Sequence, residues 1–395
     1  MRIGAMLIPF IILSNAVIAY GYVRGFYYTN WAQHRIGEGR FLPEDIPEGL
    51  CTHILYAYAK VDESGASLPF ERNAEDSCRF GMYSRVTKLK ESDPKLKILL
   101  AYGGYHFGSK TFTAIAKSAD KRKHFIESAI TFLRKHKVDG IVLDWEYPIG
   151  LAKEHAEFIK EMKVAFKKES QKTVEEQLIL TTAVSAGQPI IDQSYNIRSL
   201  AENLDLLFLM SYSFHGSWEK NVDLHAKLRP TKGETAGVGV FITVLYGMPK
   251  EKIIIGIPTY DRGWTLKNPS ETAIGAKAIG PSSPLTTNPA GGSAAYWEIC
   301  EYLKEGGNQT IDEQGVGAYM VKGNQWYGYD NEETVKIKIR WLKEKGYGGA
   351  FMWSLDFDDF RGTDCGKGSY PLLNAINREF ENEITDVTEE CRHYI

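Results

Sequence analysis

The sequence predicts an α/β fold, namely a (β/α)8 TIM barrel with a small α+β insertion domain before the last helix and strand. Short runs of apolar, β-branched residues recur along the chain at spacings that are too long for hairpins and long enough for helical crossovers. Most of the segments between them have helical periodicity. Because the predicted strands are apolar along nearly their whole length, they favour a closed parallel barrel over an open doubly wound sheet.

Eight apolar runs are predicted to form the barrel strands. They are Tyr22–Tyr28, Thr52–Ala59, Lys97–Tyr102, Asp139–Leu143, Leu178–Val184, Asp205–Met210, Lys252–Ile257 and Gly348–Trp353. Two of the intervals between them, Lys121–His136 and Glu332–Lys345, place apolar side chains three and four residues apart. That spacing is typical of helices that pack against a core with one face.

One interval, residues 266–330, interrupts this alternation. It is rich in Gly, Pro, Ser and Thr, and its later part carries aromatic residues in alternating positions. These residues are Tyr319, Trp326, Tyr327 and Tyr329. The pattern predicts a small α+β lobe inserted into the barrel. The predicted division is therefore a signal peptide at 1–19, a barrel formed by 20–265 and 331–380, the lobe at 266–330, and an acidic C-terminal tail at 381–395.

The charges of the chain are nearly balanced. It has 47 Lys and Arg residues against 50 Asp and Glu residues, and its formal net charge is −3. These charges are interspersed, whereas a nucleic-acid-binding surface needs a basic face, so no nucleic-acid partner is expected. The sequence has no motif for a metal, a phosphate group or a cofactor, and none of these is predicted.

The first nineteen residues have the features of a signal peptide. Arg2 is followed by an apolar stretch, and Val17 to Ala19 form a small-residue cleavage pattern before Tyr20. The apolar stretch is shorter than the roughly 18 residues that a membrane-spanning helix needs. A buried first helix is the alternative interpretation. We expect a secreted, extracellular protein that is soluble and monomeric and has no membrane partner.

Export permits disulfide bonds. The five cysteines are Cys51, Cys78, Cys300, Cys365 and Cys391. Because their number is odd, at least one of them stays unpaired or pairs with another chain. The sequence Asn308-Gln309-Thr310 is a sequon, which makes Asn308 a candidate for glycosylation.

The fourth predicted strand runs into the segment DGIVLDWEYP at 139–148, where Asp144 and Glu146 are two residues apart. Barrels of this kind carry their chemistry at the C-terminal ends of the strands. On a strand, both carboxyl groups point the same way, into the barrel mouth. Two like charges that are buried together raise the proton affinity of at least one of them, as a general acid requires. The alternative is a pair of solvated strand-end residues.

Aromatic residues lie at the ends of most other predicted strands. They are Tyr27, Tyr28 and Trp31 on the first, Tyr105 on the third, Tyr212 and Trp218 on the sixth, Tyr260 on the seventh, and Trp353 on the eighth. Each ring alone is compatible with core packing. Their joint occurrence at one rim favours a cleft whose flat rings suit the apolar faces of pyranose sugars.

Six motifs make the chain, from about Tyr22 to Phe380, resemble animal chitinases and chitinase-like lectins of glycoside hydrolase family 18. The motifs are YYTNWAQ at 27–33, CTHI at 51–54, DWEYP at 144–148, FHGSWE at 214–219, PTY at 258–260 and DDF at 358–360. The inserted lobe agrees with the larger barrels of this family. The resemblance implies a protein that binds chitin or chitooligosaccharides.

Members of the family use substrate-assisted catalysis. The resemblance implies that Glu146 protonates the glycosidic oxygen while the N-acetyl carbonyl of the substrate attacks the anomeric carbon. Asp144 would orient the acetamido group and stabilise the oxazolinium, and Tyr212 would donate a hydrogen bond to the acetamido oxygen. The residues assigned to sugar binding by the resemblance are Tyr27, Trp31, Gly104, Tyr105, Met210, Ser213, Trp218, Tyr260, Arg262 and Trp353.

Two positions depart from the family pattern inside the predicted centre. Val142 replaces the middle Asp of Asp-Gly-x-Asp-x-Asp-x-Glu, and Ser213 replaces the Asp that follows Tyr212. The family carboxylate at position 142 shares a proton with Asp144 and lets it turn toward Glu146. Without these two anions the pKa of Glu146 is raised less, so we expect slower hydrolysis and a more acidic pH optimum. A non-catalytic lectin, and a structural or storage glycoprotein without a ligand, are the alternatives.

The resemblance also bears on the cysteines. It pairs Cys300 with Cys365, which ties the insertion to the end of the barrel. Cys51 matches a second family disulfide, but Phe26 stands at its partner position. A Cys51–Cys78 bridge and a link from Cys391 to another chain remain open.

Three further positions differ from the family. Tyr105 replaces Trp and offers a smaller stacking surface, and Asp261 and Trp264 replace Gly and Phe around Arg262. Asp261 either pairs with Arg262 or faces water.

Overall fold

The computed structural model of the protein describes residues 21–71, 80–230, 237 and 245–382. The predicted signal peptide, Cys78, Cys391 and most of the predicted acidic tail lie outside the described residues. No helix in the described part of the chain is both long enough and apolar enough to span a membrane.

Fourteen strands and nine helices of the described chain define the architecture. The strands are β1 (Val23–Thr29), β2 (His53–Val61), β3 (Ser67–Pro69), β4 (Lys97–Gly103), β5 (Gly140–Asp144), β6 (Ile179–Ser185), β7 (Leu206–Met210), β8 (Ile253–Pro258), β9 (Arg262–Leu266), β10 (Ala278–Pro281), β11 (Asn308–Asp312), β12 (Gly317–Lys322), β13 (Gln325–Tyr329) and β14 (Gly349–Trp353). The helices are α1 (Met82–Thr87), α2 (Lys110–Ala116), α3 (Ala119–Lys135), α4 (Ala152–Thr173), α5 (Gln188–Ser194), α6 (Ile197–Asn203), α7 (Tyr296–Lys304), α8 (Glu332–Lys345) and α9 (Pro371–Glu381).

Eight parallel strands close into a barrel. Their order is β1-β14-β8-β7-β6-β5-β4-β2, and β2 pairs again with β1. Each of the eight predicted strands is present, with ends that differ from the prediction by no more than two residues. The predicted (β/α)8 barrel is therefore confirmed. The two predicted helices are also present, as α3 and α8.

Alternation along the strands separates an inner from an outer layer of side chains. On β2, Leu55 and Ala57 face the interior of the barrel, whereas Ile54 and Tyr56 pack under the surrounding helices. Val142 on β5 belongs to the interior layer and is fully buried. Because this layer is closed by side chains, the barrel is a packed core, and ligands can only be accommodated above its strand ends.

The interval that interrupts the βα alternation contains a second sheet. It is antiparallel, with the order β10-β9-β13-β12-β11, and its first strand begins at Arg262. Trp264 and Trp326 pack edge to face in its own small core. Asn308, the predicted glycosylation site, is exposed on β11 at the edge of this sheet.

The Cys300–Cys365 disulfide predicted from the family resemblance is present. It links α7 of the insertion to the segment that follows β14. Cys51 is a buried free thiol. The partner considered for it, Cys78, lies outside the described residues, so the Cys51–Cys78 bridge stays a prediction.

Candidate active site

The carboxyl ends of the barrel strands open into a cleft of about 1380 Å³. Twelve of the thirteen residues predicted for catalysis or sugar binding line it, and the exception is Gly104. Thr287, Asn288 and Ser293 of the insertion form part of the wall. The cleft is therefore bounded by both the barrel and the inserted lobe.

The β5 strand directs two carboxyl groups into this cleft. Asp144 is the last residue of the strand and Glu146 lies two residues further on, and both side chains line the cleft. Trp145 between them is buried on the opposite side, where its ring lies 5.7 Å from that of Phe112 and its Nε1 donates a hydrogen bond to Ser109 Oγ at 2.6 Å. The anchored tryptophan fixes the direction of both acids.

Burial and mutual repulsion give Glu146 a high proton affinity. Burial raises the pKa of the Glu146 carboxyl well above its ordinary value, and the neighbouring charge of Asp144 raises it further. The pKa of Asp144 is also raised by burial, while hydrogen bonds from the hydroxyls of Tyr58 and Tyr27 act in the opposite direction. The two groups titrate as a pair. In the neutral range this arrangement favours a single proton that is shared by the pair.

The immediate surroundings of Asp144 are asymmetric. Its Oδ2 accepts a hydrogen bond from the Tyr58 hydroxyl at 3.0 Å. Its Oδ1 is buried and accepts no hydrogen bond within the described chain. Val142, two residues earlier on β5, presents only methyl groups to the barrel interior. One oxygen of a buried carboxyl is thus left without a donor, which is uncommon in proteins.

Ser213 joins two other site residues. Its Oγ lies 2.5 Å from the Tyr260 hydroxyl and accepts a hydrogen bond from Arg262 Nη2 at 2.9 Å. The Arg262 guanidinium lies 5.3 Å from the ring centres of both Trp218 and Tyr260. The uncharged Ser213 therefore still connects the ends of β7 and β8.

Asp261 adopts neither of the two environments that were expected for it. The side chain neither pairs with Arg262 nor faces water, but is fully buried and accepts a hydrogen bond from the Ala294 amide at 2.6 Å. Burial raises its pKa well above the usual range. Asp261 therefore forms no ion pair with Arg262, although the nearby guanidinium charge acts to lower its pKa.

Aromatic rings form the floor and the rim of the cleft. At the floor, the Trp353 ring lies 4.7 Å from that of Tyr27, and the Trp31 ring stacks on Tyr58 at 5.9 Å. At the rim, Tyr105 and Trp218 are 76% and 61% exposed. Exposed rings of this size are available for stacking on a ligand.

Gly104 and Tyr58 differ from the sequence-based expectation. Gly104 does not line the cleft; its backbone has a φ of +83°, and a Cβ at this position would lie 2.5 Å from the Tyr58 ring. Tyr58, which sequence reasoning missed, lines the cleft and contacts Asp144. Its signal was an aromatic residue near the end of the second strand, as at Tyr27. Other cleft residues that were missed are Lys60, Phe70, His106, Asn288 and Phe357.

One group of acidic side chains in the described chain has the spacing of a metal site. Glu38, Glu301 and Asp364 each place an oxygen within 4.8 Å of the others. None of them lines the cleft, and Arg361 forms an ion pair with Glu38 at 2.7 Å.

A barrel with an acidic pair at the end of a central strand and an aromatic cleft above it defines the class of barrel glycoside hydrolases. The chain belongs to the glycosyl hydrolases family 18, whose sequence model matches residues 24–358.

Three relatives indicate where in the family the chain lies. The endochitinase of Brugia malayi is 66% identical over 387 residues, which cover 96% of this chain and 77% of that protein. The crystal structure of TsES1, an immunomodulatory active chitinase from Trichuris suis, superposes with a TM-score of 0.87 at 39% identity and covers 90% of this chain and 99% of that one. Human YKL-39 is described as a pseudo-chitinase with retained chitooligosaccharide binding. Its structure superposes with a TM-score of 0.85 at 39% identity and covers 91% of this chain and 100% of that one.

Proposed function

We propose that the protein is a chitinase that cleaves β-1,4-linked N-acetylglucosamine polymers by substrate-assisted, retaining catalysis. The observation that supports this most is the buried carboxyl of Glu146, which lies in an aromatic cleft beside Asp144 and has a raised pKa. A carboxyl that stays protonated at neutral pH can act as a general acid toward a glycosidic oxygen.

The other side chains are assigned by their positions in the cleft. Asp144, which lies next to Glu146, stabilises the positive charge that develops on the acetamido group. The Tyr212 hydroxyl, held protonated because burial raises its pKa, donates to the acetamido oxygen. Trp353 and Tyr27 form an aromatic surface under the reacting sugar. Tyr105 and Trp218 at the rim stack on neighbouring sugars.

Val142 and Ser213 favour a second candidate, a lectin that binds the same oligosaccharides without cleaving them. Both residues remove a carboxylate that relatives of the family carry near Glu146. In the hydrolase that we propose, the same two changes slow turnover. The loss of one preorganised electrostatic partner commonly reduces kcat by about 10²–10³-fold.

One paired experiment separates the two functions. Hydrolysis of a fluorogenic chitooligosaccharide and binding of unlabelled chitotetraose are measured for the wild type and for Glu146→Gln. We expect turnover by the wild type, its loss in the variant, and similar binding by both proteins. Equal binding with no turnover by either protein would establish the lectin instead.

We also propose that the protein is exported after removal of residues 1–19. Expression of the full chain in a secreting host, followed by N-terminal sequencing of the medium fraction, tests this. Tyr20 is the expected first residue of the mature protein.

A further inference from the structure

Tyr58 contacts Asp144 in the candidate active site, but it has none of the catalytic or sugar-binding roles proposed for the other cleft residues. Its hydroxyl donates a hydrogen bond to Asp144 Oδ2 at 3.0 Å, and both residues are buried. The ring is held on one side by Trp31, which stacks on it at 5.9 Å. On another side the chain leaves room for the ring, since only a residue without a Cβ fits at Gly104.

No donor in the described chain lies within hydrogen-bond distance of Asp144 Oδ1, although the Tyr27 hydroxyl also faces this carboxyl and acts to lower its pKa. Val142 occupies the interior position below it, within a cluster of apolar side chains. The Oδ1 atom therefore remains buried without a hydrogen-bond partner in the described chain. When one oxygen of a buried carboxylate has no hydrogen-bond partner, the orientation of the group depends on the donors that bind the other oxygen.

We propose that Tyr58 is a positioning residue for Asp144. Its hydroxyl donates a hydrogen bond to Asp144 from the side of the cleft, whereas Val142, on the side of the barrel interior, cannot form one. The proposal rests on the hydrolase function. Tyr58 does not transfer a proton in this role. Burial and the charge of Asp144 raise the pKa of the Tyr58 hydroxyl, so it remains a donor throughout the working range.

The direction of the pH effect follows from the groups that face Asp144. They are Tyr27 on β1, Tyr58 on β2, Glu146 and Tyr147 after β5, Tyr195 after α5 and Tyr212 after β7. The Tyr58 hydrogen bond lowers the pKa of Asp144. Activity requires Asp144 ionised and Glu146 protonated, so the pKa of Asp144 sets the acidic limb of the pH–rate profile. Loss of the hydroxyl raises this pKa and moves the acidic limb to higher pH.

The test is Tyr58→Phe, which keeps the ring and removes only the hydroxyl. We expect the acidic limb of kcat to move up by about one pH unit, since a hydrogen bond to a charged group alters the proton affinity about tenfold or more. We expect KM to change less than twofold. Tyr102→Phe is the matched control, because Tyr102 lies on neighbouring β4 with its ring under the helices, outside the cleft. An unmoved limb in Tyr58→Phe, or an equal shift in Tyr102→Phe, would overturn the proposal.

A second variant tests the link to position 142. Val142→Asp restores a carboxyl that can share a proton with Asp144 from below. In that background, Tyr58→Phe should shift the acidic limb by less than half as much as in the wild type. Equal shifts in the two backgrounds would contradict a shared role.

A readout without turnover distinguishes this proposal from the hydrolase function. In protein that is ¹³C-labelled at aspartate, the carboxyl carbon NMR signal of Asp144 reports its titration. This signal is assigned by its absence from the spectrum of Asp144→Asn. If the wild type fails to hydrolyse chitooligosaccharides, the proposed function fails, while a higher Asp144 pKa in Tyr58→Phe still supports the positioning role. An unchanged titration would refute that role even in an active enzyme.

Discussion

At the scale of single residues, the property that suits Glu146 to act as an acid also destabilises the fold. Burial and the nearby Asp144 raise the pKa of Glu146 from its ordinary value of 4.5 to about 8. A raised carboxyl pKa means that the folded state binds the proton more tightly than the unfolded state. The stability that this binding contributes is complete below the unfolded pKa and is lost as the pH rises through the folded pKa.

We therefore predict that Glu146→Gln stabilises the protein in a pH-dependent way. The gain should be small at about pH 4, where the wild-type side chain is protonated in both states, and about 1–3 kcal/mol at about pH 9. Thermal unfolding of both proteins at the two pH values measures it. Glu127→Gln, at a solvent-exposed position on α3, is the control. A gain that is the same at both pH values would contradict the prediction.

Ser213 allows a prediction about charge in the cleft. Its backbone has a φ of 57°, a conformation that Asp and Asn tolerate better than most residues. Ser213→Asp should form an ion pair with Arg262, add negative potential near Glu146, and move the basic limb of the pH–rate profile to higher pH, with kcat about tenfold higher.

Ser213→Asn is the control, because it offers similar hydrogen bonds without the charge. The pH–rate profiles of the three proteins on one fluorogenic substrate give the comparison. If Ser213→Asn moves the basic limb as far as Ser213→Asp does, hydrogen bonding and not charge controls the acid.

Strand alternation determines which parts of this site can be predicted from sequence. The two-residue spacing of Asp144 and Glu146 predicts that both face the cleft, since side chains on a strand alternate between its faces. No local pattern reveals that Asp261 turns inward to the Ala294 amide, or that Tyr58 reaches Asp144. Those contacts join residues that are 33 and 86 positions apart.

At the scale of elements, the barrel strands are predictable because both of their faces are buried, which produces continuous apolar runs. The antiparallel strands of the insertion are short, and their burial is uneven. The outer strands β10 and β11 are largely exposed, whereas β13 is buried on both faces, with Trp326 in the small core of the lobe and Tyr327 in the main core. The sequence therefore predicts the lobe from its composition and its alternating aromatic residues, but it does not locate the individual strands. The sheet of the lobe begins at Arg262, shortly after barrel strand β8, and no sequence pattern marks this start.

The end of β4 supports a prediction about backbone conformation. Gly104 has a positive φ and lies against the Tyr58 ring, so Gly104→Ala introduces both strain and a clash. We expect it to lower stability by about 1–3 kcal/mol and to displace Tyr58 from Asp144, with a loss of turnover larger than that of Tyr58→Phe.

The control for this change is Gly108→Ala in the following loop. Gly108 also has a positive φ, but a Cβ there would have no heavy atom within 4 Å. Chemical unfolding and turnover are compared for both variants. A similar loss of turnover in both would show that backbone strain, and not the clash with Tyr58, is responsible.

At the scale of the whole molecule, the shape of the cleft depends on the position of the inserted lobe relative to the barrel. The barrel supplies the carboxyl pair and the aromatic floor, while the insertion supplies one wall. Only one covalent cross-link is present in the described chain, between Cys300 on α7 and Cys365 beyond β14. It closes a loop with a sequence separation of 65 residues, which includes the sheet strands β11 to β13 and helix α8.

Removal of this cross-link should destabilise the protein measurably. In the chain-entropy description, a loop of this length contributes roughly 4 kcal/mol through the unfolded state. We expect Cys300→Ser, Cys365→Ser and the double variant to lose similar stability in thermal unfolding without reductant, because each of them breaks the same bond. Losses that add in the double variant would show that the two side chains stabilise the fold separately, through packing. In that case the position of the lobe relative to the barrel would depend on non-covalent contacts alone.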